Sequence, residues 1–418
     1  MFSSLNIKIG IFLAKRQIKR SNPWTTILIV FVMFFTFLNL VVVSGILVGL
    51  IQGAVDAVKS HYISDVIVST LSDKSYIENS PEVISVIKSI PEVEAMTARY
   101  IQGGKVEANY KTKIKETDKS DIASALIAGI DPEAEDKVTN LSKFIVEGQY
   151  LEPGDYDKVV LGAYLIKKYM PVESPGFATL SNVSVGSKIR LIVGGVTREV
   201  TIKGIVKAKV DEVSMRVYMP DAQFRNLVGR NDYNVSEISI KIKPGVAPEF
   251  VRDILKANGV DKVAKVQTFT EGEPKFIKDM QNTFALLGNI LSSIGLVVAS
   301  ITIFIVIFIN AITRRKFIGI LKGIGINEQA IEISYILQSF FYAFCGSVIG
   351  IIVLYVFLQP AVAAHPIDFP FSDGILVAPF FGTMLRVLLL MITTIIAGFI
   401  PARLVVRKNT LDSILGRN

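Results

Sequence analysis

Four long apolar runs divide the sequence, and each is long enough to cross a bilayer as a helix. The predicted spans cover residues 24–50, 284–309, 334–358 and 378–402. The first three contain no charged side chain, whereas the fourth contains Arg386. A transmembrane helix needs about 20 mostly apolar residues, so the pattern predicts four membrane-spanning helices. The first run is too long for a cleaved signal peptide, and no small-residue cleavage site follows it.

A segment of mixed patterning separates the first span from the second. Within residues 51–283, short alternating segments are typical of strands and others have helical spacing. Predicted strands cover residues 65–70, 93–100, 121–130, 187–193, 197–207, 236–242 and 263–268, and predicted helices cover 81–90, 248–257 and part of 159–169 after Gly162. Gly194 and Gly195 between two alternating segments predict a hairpin. We expect an extracytoplasmic α+β domain inserted between helices 1 and 2, with a β-rich subdomain at about residues 110–230 inserted within it.

Positive charge is concentrated beside the spans. The formal net charge is +8, yet residues 51–283 contain 31 Lys and Arg against 32 Asp and Glu. Basic residues lie in segment 1–23, in the link between spans 2 and 3, and in the tail after span 4. The positive-inside rule predicts that both termini and this link are cytoplasmic. We interpret segment 1–23 as an amphipathic anchor at membrane lipid, rather than as a nucleic-acid site.

The composition limits the chemistry of the chain. It has 418 residues, of which 50% are hydrophobic and 20% charged, and its mean hydropathy is +0.47. One cysteine, Cys345, and two histidines, His61 and His365, disfavour a disulfide framework and a protein-only zinc or haem site. The sequence contains no P-loop, G-x-S-x-G, H-E-x-x-H or C-x-x-C motif. We expect no catalytic, cofactor or metal site in this chain, although a site assembled from distant residues would leave no motif.

The link between spans 2 and 3 has the strongest functional pattern. It begins with basic residues and continues with apolar residues spaced for one helical face; the candidate residues are Arg314, Arg315, Phe317, Ile320, Leu321 and Ile324. Gly325 is suited to end this helix, and Asn327 is suited to cap the next one. Two interpretations remain open: a helix that binds a partner, or an interfacial helix that lies among lipid head groups.

Small residues and one charge mark the spans. Gly45 and Gly49 form a G-x-x-x-G pattern in span 1, and Gly346 and Gly350 repeat it in span 3. This pattern allows close helix packing, including packing in a dimer, although chance is the alternative explanation. Arg386 is a functional candidate because a charge within a span is costly; snorkelling to the outer head groups is the simpler interpretation.

Several segments resemble the FtsX-like/MacB-like ABC transporter permease family, which includes the lipoprotein-releasing LolC/LolE type. The link TRRKFIGILKGIG resembles the R-x-x-E-I-G-I-L-[KR]-A-[LI]-G segment of that family, and the PAR sequence after span 4 resembles its P-A-x-x-A exit. Further similar segments lie at Phe12–Arg20, Ile127–Asp131, Val146–Gly148, Val160–Ala163 and Val185–Leu191. The resemblance covers essentially the whole chain, in order.

The resemblance implies a permease subunit without catalytic activity. It implies that residues 51–283 form a MacB-like periplasmic core domain and residues 284–418 an FtsX-like permease domain. The link would be a coupling helix that docks on a separate ABC ATPase, which would hold ATP and Mg. A second permease copy or paralogue would complete a dimer in the bacterial inner membrane. Movements of the outer domain would act on lipoprotein, lipid or peptide substrates, with a lipoprotein or periplasmic adaptor as a further partner.

The sequence departs from the family pattern at three points, and two alternative functions stay open. Phe317 stands where the family has an acidic residue, so a salt bridge from that position to an ATPase is not expected, and Ser187 replaces a usual Asp. MacB itself has a fused ATPase, whereas this sequence shows no P-loop. One alternative is an FtsX-like transmembrane scaffold that activates a cell-wall hydrolase; the other is an ATPase-independent adhesin or receptor.

Overall fold

The computed structural model describes residues 4–112, 121–170, 178–273, 275–369, 372–374 and 376–407. The chain divides into two compact units. The membrane unit comprises residues 1–51, 279–369 and 373–418, and the outer unit comprises residues 52–278 and 370–372. The last part of the predicted permease domain, residues 408–418, lies outside the described residues.

Within the residues that the structure describes, four helices are long and apolar enough to cross a membrane. Span 1 is Pro23–Ile63, span 2 is Lys275–Thr313, span 3 is Glu328–Ala364 and span 4 is Phe380–Val406. Two further helices belong to the membrane unit: the N-terminal helix Ser4–Arg20 and the connecting helix Arg315–Gly323 between spans 2 and 3. The observed helices extend past most of the predicted limits, because helical structure continues through polar residues that a hydropathy criterion does not count.

Local sequence explains where span 1 begins and where its geometry changes. The side chain of Asn22 accepts a hydrogen bond from the Trp24 amide at 3.0 Å, and Pro23 occupies the first helical position, where its missing N–H costs nothing. The helix then widens into π-helical turns at Asn39–Val43 and Lys59–Ile63. A third π-helical segment, Val353–Leu358, lies in span 3.

Span 3 is the centre of the membrane unit. It contacts the N-terminal helix, span 1 and span 4. Its buried residues include Tyr335, Ser339 and Gly346, which lie successively along the helix. Many large apolar side chains of span 2, such as Leu286 and Ile301, are instead exposed, as expected for a surface that faces lipid or another helix.

The outer unit is built on one mixed sheet. Its strands are β1 (Val66–Ser69), β2 (Val93–Ala108), β3 (Asp121–Ile130), β4 (Ile145–Gly148), β5 (Lys158–Gly162), β6 (Lys188–Val193), β7 (Val196–Val206), β8 (Arg216–Pro220), β9 (Glu237–Ile242) and β10 (Lys265–Thr268). The order is β10-β1-β9-β2-β3-β8-β5-β7-β4, and β6 pairs with β2 and β7. Helices lie at Ser80–Lys88, Pro132–Thr139, Asp211–Ser214, Asp221–Val228, Pro248–Ala257 and Phe269–Gly272, with 3-10 turns at Tyr110–Thr112, Leu141–Phe144, Ala163–Leu165 and Val260–Lys262. Together with the spans, this confirms the predicted fold class.

Most predicted elements of the outer unit agree with the structure. The hairpin between β6 and β7 turns at Gly194 and Gly195, whose φ angles are 57° and 84°, so both positions need the left-handed conformation. The helix predicted within residues 159–169 is wrong. The segment forms β5 and then a single 3-10 turn, because β5 is buried between β7 and β8 and an apolar run is compatible with either structure.

Strand β2 belongs to both halves of the sheet. Its first part pairs with β9, and its second part pairs with β3 and β6. The predicted inserted subdomain, at about residues 110–230, begins directly after β2. Strand β2 pairs with β9 outside this range and with β3 and β6 inside it, so the sheet is continuous across the predicted boundary. The division into two subdomains stays a prediction.

Candidate functional site

The connecting helix has one buried and one exposed apolar face. Ile318 and Leu321 are 2% and 7% exposed and pack in the core of the membrane unit. Phe317, Ile320 and Ile324 are 48%, 52% and 71% exposed. Helical spacing in the sequence predicted that Leu321 lies on the same face as these three residues. In the structure its side chain instead packs in the core of the membrane unit. The exposed apolar surface is therefore Phe317, Ile320 and Ile324.

Hydrogen bonds fix both ends of the connecting helix. Arg314 and Arg315 are half-buried at its start, and the Ile318 amide donates to the Arg314 carbonyl at 3.0 Å. At its end the Ile326 amide donates to the Leu321 carbonyl at 3.0 Å, and Gly325 has a φ of 89°. This is a Schellman motif, and the predicted glycine at the helix end is confirmed.

Three polar contacts orient the connecting helix and the beginning of span 3. The Lys322 ammonium lies 2.7 Å from a Glu328 carboxylate oxygen and donates to the Val406 carbonyl of span 4 at 2.9 Å. The Asn327 side chain accepts from the Gln329 amide at 2.9 Å, which confirms the predicted cap of the next helix. The exposed apolar surface is therefore held by spans 3 and 4.

Side-chain amides join the N-terminal helix, span 2 and span 3. Gln338 of span 3 is 1% exposed, and its amide nitrogen donates to Gln17 of the N-terminal helix. Its amide oxygen accepts from Asn310, near the end of span 2, at 3.4 Å. These residues form the amide cluster. Hydropathy and spacing did not predict this cluster, although a glutamine within an apolar span is a signal that indicates such a contact.

The predicted span glycines pack helices within the protomer. A Cβ atom at Gly346 would lie 2.6 Å from the Met33 Cβ, and one at Gly350 would overlap the Phe37 ring. A Cβ atom at Gly45 would lie 2.8 Å from the Val377 carbonyl oxygen, and Gly49 is buried. Span 3 thus approaches span 1 closely at both of its glycines. A dimer contact through these positions stays a prediction.

Arg386 forms a hydrogen bond within the membrane unit. Its side chain is half-buried and donates to the Ser44 hydroxyl of span 1 at 2.6 Å. The charge therefore links span 4 to span 1 close to Gly45. Its functional role stays a prediction.

A buried ionic cluster lies where the span 1 helix ends in the outer unit. Arg99 is 1% exposed; its guanidinium donates to Glu135 and Glu237 at 2.8 Å and to the Tyr62 carbonyl at 3.1 Å. Arg216 donates to Glu237 at 3.0 Å and to the Tyr62 hydroxyl at 2.9 Å. The last helical turn is thus bound to β2, β8 and β9 at once.

Electrostatics keep this ionic cluster charged. Burial opposes ionisation of Glu237, but the guanidinium groups of Arg216 and Arg99 outweigh it and lower the pKa of Glu237 to about 2. Two guanidinium groups face two carboxylates, so the cluster is balanced in charge. Arg99 and Glu237 are opposite each other in the β2–β9 register, a pairing that the sequence alone does not reveal.

His61 packs against other residues of the outer unit. Its Nδ1 lies 3.4 Å from the Thr139 carbonyl oxygen, and its ring packs edge-on against Phe144 with ring centroids 4.4 Å apart. Among the described residues, no group of three or more His, Cys, Asp or Glu side chains is arranged to hold a metal ion.

Comparisons with known families account for nearly the whole chain. The MacB-like periplasmic core domain matches residues 29–258, which is more than half of the sequence, and the FtsX-like permease C-terminal domain matches residues 289–410. The chain belongs to the MacB/FtsX-like ABC permease family. As a permease of this family with four apolar helices, it is a multi-pass protein of the inner membrane.

Curated relatives and solved structures are similar at low identity. The macrolide export ATP-binding/permease protein MacB of Campylobacter jejuni is 22% identical over 290 residues, covering 66% of this chain and 43% of that protein. MacB of Pasteurella multocida is 26% identical over 133 residues, covering 30% of this chain and 20% of that protein. The chain thus spans less than half the length of these curated relatives.

Two solved structures align with part of the chain. The periplasmic region of MacB from Actinobacillus actinomycetemcomitans has a TM-score of 0.36 and 16% identity, covering 51% of this chain and 92% of that structure. The extracellular domain of the noncanonic ABC-type transporter YknZ from Gram-positive bacteria has a TM-score of 0.32 and 15% identity, covering 49% of this chain and 98% of that structure.

Proposed function

We propose that this protein is a permease subunit that converts ATP hydrolysis by a separate ABC ATPase into movement of its outer unit. The observation that carries the proposal is the connecting helix, which buries one apolar face and exposes another. A helix with an exposed apolar face of this kind can dock in a hydrophobic groove of a partner protein. The names of the curated MacB relatives, which combine ATP-binding and permease functions, support an ATPase as the occupant.

The contacts of the connecting helix can transmit its movement to the neighbouring helices. Lys322 ties the helix to span 4, and the amide cluster ties the end of span 2 to span 3 and the N-terminal helix. Residues 52–63 of the span 1 helix belong to the outer unit, where Tyr62 contacts Arg99 and Arg216 of the buried ionic cluster. A displacement of the connecting helix would therefore move packed helices together rather than deform a single loop.

The remaining parts of the proposal concern partners, substrate and orientation. Both termini and the connecting helix would be cytoplasmic, and ATP with Mg would be bound by the ATPase. A second permease copy or paralogue would complete the transporter. The outer unit would act at the outer face on lipoprotein, lipid or peptide substrates, and the chain itself would catalyse no reaction.

Charge substitutions on the exposed face test the docking role. We expect Ile320→Asp and Ile324→Asp to abolish copurification of the ATPase with the full-length protein, because each places a carboxylate in an apolar interface. Ile11→Asp is the matched control, since Ile11 is 50% exposed on the N-terminal helix, compared with 52% for Ile320. Leu321→Asp is unsuitable because it would place a charge in the core.

The outcome is read from ATPase recovery and from the elution profile of the permease. Loss of the ATPase from both variants, with a monodisperse permease and an unaffected control, supports the proposal. Full retention of the ATPase by both variants would show that this face is not the docking surface.

A further inference from the structure

A cavity of about 660 Å³ lies beside the turn between the connecting helix and span 3. Its lining includes Lys322, Glu328, Glu332, Phe399, Arg403 and Arg407. Span 3 contributes the carboxylates, and the last turns of span 4 contribute the arginines. The cavity lies near the end of both helices, because Glu332 is one turn inside the start of span 3 and Arg403 is one turn before the end of span 4.

The charged groups of the cavity are arranged in two opposite sets. Glu332 is 7% exposed, and within the described part of the chain its carboxylate forms no hydrogen bond or ion pair, although the guanidinium groups of Arg403 and Arg407 are near enough to attract it. The exposed Arg403 and Arg407 also form no ion pair among the described residues, although the Arg403 guanidinium stacks 5.5 Å from the centre of the Phe399 ring. Lys322 and Glu328 already pair with each other. The Glu332 carboxylate and the guanidinium groups of Arg403 and Arg407, none of them in an ion pair among the described residues, therefore face one cavity.

An apolar groove continues from the arginines. This second cavity, of about 420 Å³, is lined by Phe399, Ile400 and Leu404 together with Arg403 and Arg407. Ile400 and Leu404 are 47% and 57% exposed on the surface of a membrane-spanning helix. A ligand in the charged cavity can thus place an apolar chain along span 4 without leaving the membrane.

We propose that this pair of cavities binds a phospholipid with a primary ammonium in its head group, such as phosphatidylethanolamine. The phosphate would accept hydrogen bonds from Arg403 and Arg407, as in other basic sites at membrane surfaces. The ammonium would donate to Glu332, and an acyl chain would follow Ile400 and Leu404. The apolar groove in the plane of the membrane favours a lipid over a segment of a protein partner. This site does not depend on the proposed transport function.

Native mass spectrometry of the full-length protein tests the site. The detergent-solubilised protein is mixed with equal amounts of phosphatidylethanolamine, phosphatidylcholine and phosphatidylglycerol that have identical acyl chains. The lipid complexes are then released from the detergent in the mass spectrometer. We expect phosphatidylethanolamine to bind best, because the choline group has no N–H donor and the glycerol group has no charge for Glu332. Loss of one charge-assisted hydrogen bond corresponds to about a tenfold loss of binding.

Two sets of variants separate the parts of the site. Glu332→Gln should lower phosphatidylethanolamine binding about tenfold and remove the selectivity, whereas the double variant Arg403→Gln/Arg407→Gln should weaken all three lipids. Arg20→Gln and Asp279→Asn, at exposed charges elsewhere on the membrane unit, are the matched controls. Thermal unfolding of each variant shows whether the fold is retained.

Three results would overturn the proposal. Equal binding of the three lipids by the wild-type protein would indicate only a lipid annulus. Unchanged selectivity in a folded Glu332→Gln variant would show that Glu332 does not contact the ammonium. Loss of a copurifying protein in that variant, with lipid selectivity intact, would assign the cavity to a protein partner.

Discussion

At the scale of single residues, Glu237 has the clearest energetic role in the outer unit. Its carboxylate accepts hydrogen bonds from Arg99 at 2.8 Å and from Arg216 at 3.0 Å. Glu237→Gln would leave Arg216 buried without its carboxylate. We expect the free energy of unfolding of the outer unit to fall by about 3–5 kcal/mol, as found when one partner of a buried ion pair is removed.

An exposed ion pair in the same sheet is the control for this prediction. Lys241 and Glu94 lie 2.9 Å apart and are 36% and 41% exposed, so Glu94→Gln should cost less than about 1 kcal/mol. Calorimetry of the full-length protein in detergent measures both variants. Equal effects of the two substitutions would contradict a special role for the buried ionic cluster.

The pH dependence of the same residue gives a second prediction. The pKa of Glu237 is about 2 in the folded protein and has an ordinary value of 4.5. Because the folded value is the lower one, its stabilisation is complete above about pH 4.5 and is lost as the pH falls through about 2. The difference in melting temperature between wild type and Glu237→Gln should be constant near neutrality and shrink below pH 4.5. A difference that grows on acidification would reverse the assigned sign.

The absence of a side chain at Gly350 allows span 3 to pack closely against span 1. A methyl group at this position would overlap the Phe37 ring, so Gly350→Ala should separate span 3 from span 1 and lower the melting temperature in detergent. Gly323→Ala is the control, because nothing lies within 4 Å of a Cβ atom there. Melting temperatures that fall equally in both variants would exclude a packing role specific to Gly350.

At the scale of elements, the amide cluster joins helices that are distant in sequence. A double-mutant cycle of Gln17→Leu and Gln338→Leu should give a coupling of about 0.6 kcal/mol and at most about 1.7 kcal/mol, the range for hydrogen bonds between membrane helices. Equilibrium unfolding in mixed micelles measures the four proteins. Additive effects would mean that the two glutamines stabilise the membrane unit independently.

Elements with a strong local signal were predictable from the sequence, and contacts between elements were not. Apolar length identified the four spans, alternation identified most strands, and Gly325 identified the end of the connecting helix. Periodicity could not assign Leu321 to the buried face, because a short helix with apolar residues on two sides has no unique inner surface. Arg99 and Glu237 come together only through the pairing of β2 with β9.

At the scale of the whole molecule, the order of spans and outer unit agrees with the MacB/FtsX-like permeases. The four apolar spans, the large insertion after span 1 and the motifs around the connecting helix were sufficient to identify the family. Partners and substrate are not encoded in such patterns, because a docking face reveals that something binds but not what it is. The proposed function therefore depends on a second protein, the ABC ATPase.

The most direct measurement is purification of the protein from its native membrane in nanodiscs, with mass spectrometry of the subunits that remain bound. We expect a P-loop ATPase to copurify in stoichiometric amount with the wild-type protein and to be lost from the Ile320→Asp variant. A cell-wall hydrolase bound alongside that ATPase would instead favour the signalling scaffold. Absence of any ATPase, under conditions in which other membrane complexes stay intact, would contradict the account.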